Sequence, residues 1–133
     1  MSERLNDHIQ LLYRVQERLT NAQPQAGGLI SDEILHQLAQ VIDLLQEHSD
    51  SAYARGGDWL VHIFTHVPQL TPAIDRDLLW FFGGECLHFL TDEEISLFQQ
   101  LDELEEENRQ RGAVFDRQIA KQLLQAGGSG FNA

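Results

Sequence analysis

The sequence is short of several things, and each shortage closes off a class of explanation. Cys86 is the single cysteine, so an intramolecular disulfide and a thiolate-rich metal site are both excluded. No apolar run approaches the roughly 20 residues that a membrane helix needs, so no membrane association is expected. Lys121 is the lone lysine beside eight arginines, a bias that suits an arginine-favouring genome. Nine basic residues face 21 acids, giving a net charge of -12. A chain this acidic repels phosphate backbones, so nucleic acid is not an expected partner. There is no glycine-rich phosphate loop, no Gly-x-Ser-x-Gly and no dinucleotide-binding fingerprint. The opening residues, Met1 to Asp7, carry acids and lack a basic start followed by an apolar block, which argues against a secretory signal. With the lone cysteine, this points to a bacterial cytoplasm as the setting.

What remains is a chain of 133 residues with an ordinary apolar share of 42%. That is enough for one domain with a real core. Helical periodicity dominates it. Ser2 is placed to cap a first helix reaching about Gln23, with Leu5, Ile9, Leu12, Val15 and Leu19 in one stripe. Pro24 to Gly28 breaks the pattern, and Ser31-Asp32-Glu33 opens a second helix with a capping hydroxyl and two acids. A third helix is predicted from Ser51 to His66, ending before Pro68. Thr71-Pro72 predicts the start of a fourth, central helix through Phe82. Thr91-Asp92-Glu93-Glu94 reads as a capping box for a fifth, with Gly112 as its interruption. A last helix carries Val114, Phe115, Ile119, Leu123 and Leu124. The expected architecture is therefore all-α, a single-domain bundle of five or six helices over residues 1–126. A flexible glycine-rich tail is expected over 127–133.

Three groups of residues invite a functional reading. Glu33 and His36 share the Glu-x-x-His spacing used in di-iron bundles, but they lie opposite the apolar stripe of their helix and must face water. Glu85 and His88 repeat the spacing. Their burial depends on whether the fourth helix continues through Gly83-Gly84 or breaks there. His62 and His66 stand four apart, a spacing that grips a metal ion, without the glutamate of a zinc-protease motif. Gly56-Gly57-Asp58-Trp59-Leu60 and Gly83-Gly84-Glu85-Cys86-Leu87 share the order Gly-Gly-acid-x-Leu. If these segments pack together, Asp58, His62, His66, Glu85 and His88 converge on a divalent-metal site or a buried acid–histidine network. Cys86, beside a carboxylate in an apolar stretch, has the surroundings of an inert core thiol.

The third group is a surface. From Asp92 to Glu107 there are eight acids and no base. Capping explains the first three. Asp102, Glu103, Glu105, Glu106 and Glu107 oppose the helix dipole instead. They form either a solvated face or a docking patch for a basic protein. Trp80 lies off the centre of its helix's apolar face and marks a possible aromatic interface, a homodimer included. Two functions stay open. One is a non-enzymatic protein-binding or adaptor role through the acidic helix and an aromatic face. The other is a small metal-binding protein or metalloenzyme using the Asp/Glu/His set. The first is preferred, because each proposed ligand also has an ordinary structural role.

Overall fold

The helix starts follow from local chemistry. Ser31 Oγ accepts from the Ile34 amide at 3.1 Å, and α2 (Asp32–Gln46) begins at the next residue. Thr91 and Glu94 close both bonds of a capping box, at 3.1 and 2.9 Å, and α5 (Asp92–Gln110) begins there. The other helices are α1 (Glu3–Ala22), α3 (Ala52–His66), α4 (Asp77–Phe82) and α6 (Arg117–Asn132). These come from a computed structural model that describes the backbone of residues 3–132 and the side chains of residues 4–126. Ser2, the expected first cap, lies outside the described residues, as does Ala133. Among the described residues there are six α-helices, three short 3₁₀ segments and no strand, so the protein is an all-α helical bundle.

The chain divides into two compact units, Met1–Leu90 and Thr91–Ala133. In the first, α1 packs on α2, α2 on α3 and α3 on α4, and α4 returns to α1. Four helices thus enclose one core, filled by Leu12, Leu19, Leu38, Ile42, Leu45, Leu60, Ile63, Leu78 and Leu79, all fully buried. Trp59 adds a polar tie: its Nε1 donates to the Ile34 carbonyl at 3.1 Å, fixing α3 against the first turn of α2. In the second unit, α5 packs on α6.

The fourth helix differs from its expected form. Pro68–Ala73 is a 3₁₀ segment, Ile74 is extended, and α4 starts only at Asp77. Arg18 accounts for part of this. Its guanidinium donates to the Ala73 carbonyl at 2.9 Å, an acceptor that a continuing helix would use, and pairs with the Asp75 carboxylate at 3.2 Å. The helix then stops at Phe82, because Gly83 and Gly84 have φ of +65° and +56°. Two consecutive left-handed residues are cheap only for glycine. A 3₁₀ segment, Gly84–Phe89, follows. At the far end, α6 continues past the glycines expected to stop it.

Candidate functional site

The two Gly-Gly segments do pack together. Gly56 lies in α3 under the Phe82 ring, so close that a Cβ there would come within 2.1 Å of a ring carbon. The Gly57 carbonyl accepts from the Cys86 thiol at 3.6 Å. Their shared sequence order is not a structural repeat, since Gly56 and Gly57 are helical while Gly83 and Gly84 are left-handed. Small residues on α3 simply admit the turn after α4.

This packing does not gather the five candidate ligands. Because α4 breaks at the glycines, Glu85 is exposed rather than buried, and His88 is exposed beside it. Asp58, His62 and His66 are also exposed, on one flank of α3. The rings of His62 and His66 are 5.1 Å apart. Asp58 and Glu85 line one cleft of about 320 Å³, with Tyr53, Phe82 and Cys86. Asp58 and His62 line a separate groove of about 450 Å³ between α2 and α3, with Glu33, Arg55 and Gln37. His66 and His88 line neither. Among the described residues, no group of three or more His, Cys, Asp or Glu side chains is placed to hold a metal ion. Glu33 and His36 face water, as their place opposite the apolar stripe requires.

Cys86 is buried, and its thiol is pushed up from its ordinary 9.0 to about 11. Burial is the main cause, and the charges of Asp58 and then Glu85 add to it. The thiol titrates near 9 in the unfolded chain and near 11 in the folded one. Its contribution to stability is therefore complete below pH 9 and is lost as pH rises toward 11. Urea melts between pH 8 and 11, compared with Cys86→Ala, should show an extra alkaline loss in the parent protein alone.

The acidic surface resolves into paired and unpaired members. Arg117, 3% exposed, reaches Asp102 at 3.0 Å and Glu105 at 3.5 Å. Arg109 engages Glu106 one turn away, and this hydrogen bond holds the Glu106 carboxyl below its usual range. Glu103 and Glu107, four apart on one face of α5, have no ion pair among the described residues. The five acids are thus not one uniform patch. Trp80 is half-buried.

The final helix is oriented opposite to the usual rule. Arg117 is buried, Lys121 and Leu124 are half-buried, and Lys121 Nζ lies 5.7 Å from the centre of the Phe98 ring. These three sit at i, i+4 and i+7, on one face. The apolar Ile119 and Leu123 point the other way, 55% and 68% exposed. Val114, in the link before α6, is 95% exposed.

Sequence reasoning missed the buried polar groups His8, Asp77 and Arg117. His8 was open to detection, because it falls on the stripe of Leu12, Val15 and Leu19. Its Nδ1 is 2.6 Å from the Arg4 carbonyl, and its ring stacks on Phe81 at 4.3 Å. Asp77, in the first turn of a six-residue helix, left no such periodic signal.

Fold and surface together define an all-α protein with one enclosed four-helix core and a helical pair bearing an exposed apolar stripe. The chain belongs to the PA2817-like family, whose model matches residues 1–131. No curated protein and no solved structure matches it.

Proposed function

We propose that this is a non-enzymatic protein-binding or adaptor protein, and that its partner docks on α6 as a basic, amphipathic segment. The observation that carries this reading is the inverted face of α6. Ile119 and Leu123 remain in water while Arg117 and Lys121 turn toward the acidic helix. Leaving two large aliphatic side chains solvated forgoes about 1.5–3 kcal/mol for each. A partner that covers them recovers that energy. The charge of the partner follows from what is left exposed. With Arg117 and Lys121 turned to α5, the charge left unpaired on that helix is acidic, Glu103 and Glu107 included. A second copy would bring a net charge of -12 against an equal one, so a basic partner is favoured over a homodimer. A cytoplasmic setting fits this reading. No described helix is long and apolar enough to cross a membrane. Trp80 and the aromatic face hold a secondary place, because Trp80 is half-buried.

The test uses two designed helical peptides with the same leucine stripe, one lysine-rich and one glutamate-rich. The lysine-rich peptide should bind, more weakly at higher salt, and Ile119→Ser with Leu123→Ser should abolish binding. Equal binding of both peptides, or of neither, would overturn the proposal. Sedimentation of the free protein should give a monomer; a dimer lost in the same double variant would replace the basic partner with a second copy.

A further inference from the structure

We infer that the cleft between α3 and the turn after α4 is a binding site for a small organic ammonium ion, held between the rings of Tyr53 and Phe82 and the carboxylates of Asp58 and Glu85. All four side chains line the same space of about 320 Å³, a volume at the lower end of the range for small-ligand sites. The two rings are 6.2 Å apart and inclined at 61°, so they form two walls of a corner rather than a closed stack. A soft cation is attracted over the face of such a ring, where the quadrupole is negative. Glycine keeps the remaining walls open: Gly57, Gly83 and Gly84 border the cleft, and nothing lies within 4 Å of a Cβ built on Gly84.

The charge selects the ligand. No lysine, arginine or histidine lines the cleft. Neither Asp58 nor Glu85 has a hydrogen bond or ion pair among the described residues. The fields of both reach the same buried atom, since both raise the Cys86 thiol. A hard divalent ion wants six or more oxygen ligands, which two carboxylates and two rings do not provide. A cation whose charge is spread over carbon groups matches rings and carboxylates together. The larger groove on the other flank of α3 makes no such selection, because Arg55 and His62 line it along with Glu33 and Asp58. This site is independent of the proposed docking face on α6.

Choline is the probe, and the uncharged alcohol with carbon in place of its nitrogen is the control. Calorimetry on the full chain should show choline binding and the alcohol binding at least about tenfold more weakly. Bound choline should also move the alkylation profile of Cys86 to lower pH, because it offsets the two carboxylates. Asp58→Asn with Glu85→Gln should weaken choline binding at least about tenfold, and Tyr53→Leu should weaken it less. Tyr53 is exposed, so the latter variant should stay folded, as circular dichroism would verify. Equal affinity for the alcohol, or a choline affinity weaker than about 10 mM, would overturn the assignment. So would an unchanged Cys86 profile in the parent protein at saturating choline, a readout that needs no variant.

Discussion

The two units bury their apolar residues to very different extents. Among the described residues, 1–90 hold all but two of the buried apolar side chains, around the closed circuit of α1 to α4, and leave Tyr13, Leu29 and Tyr53 partly exposed. Among the described residues, 91–126 bury only Phe98 and Leu101 of their apolar side chains, and leave Val114, Ile119 and Leu123 in water. The difference shows that the apolar content of a helix does not fix which way it faces. In the first unit the neighbours of each helix are apolar, so its aliphatic stripe turns inward. In the second, the neighbour of α6 carries carboxylates. Pairing Arg117 with Asp102 and Glu105, together with Lys121 against Phe98, accompanies the apolar face turned outward.

The largest expected effect compares like substitutions across this divide. Leu60→Ala empties a fully buried site and should cost about 2–5 kcal/mol. Leu123→Ala removes an exposed side chain and should change stability by less than about 0.5 kcal/mol. Urea denaturation measures both, and equal losses would break the contrast. Next comes Arg117→Ala. It takes a buried cation from two acids that are themselves about one-third exposed, so the loss should be about 1–3 kcal/mol, below that of a fully buried pair. A negligible loss would mean that the ion pairs do not orient α6.

Gly56→Ala should destabilise the first unit by about 1–2 kcal/mol, because the Phe82 ring must move to admit a Cβ. Its better helix propensity offsets part of that cost. The sharper measurement is a double-mutant cycle. Phe82→Ala should cost less in the Gly56→Ala background than in the parent, and strict additivity would deny the contact. The smallest effect is a gain. His48 closes α2 with a left-handed φ of +58°, and the Ser49 amide bonds the Leu44 carbonyl at 2.9 Å, a turn that favours glycine. His48→Gly should stabilise by up to about 1 kcal/mol in the same assay.

Much of the first unit was legible in the sequence. Ser31 and the stripes of α1 to α3 each carry a local signal, as Thr91 does at the start of the second unit, and local signals survived folding. The break at Gly83-Gly84 was visible as an alternative, and it settles the fate of Glu85 and His88 as surface residues. The start of α4 was not legible. Thr71-Pro72 is a sound helix start, but Arg18, more than fifty residues earlier, claims the Ala73 carbonyl. The orientation of α6 was also hidden. Counting apolar residues sends Ile119 and Leu123 inward, whereas the charges of α5 decide the matter from another element. The acids themselves were visible, but not their sorting into those held by Arg109 or Arg117 and the unpaired Glu103 and Glu107.

Hydrogen exchange on the full chain, with and without the lysine-rich amphipathic peptide, tests the docking role of α6 most directly. The peptide should slow exchange in residues 117–126, while α1 to α4 stay unchanged. Protection spread over residues 1–90, or none on α6, would contradict it.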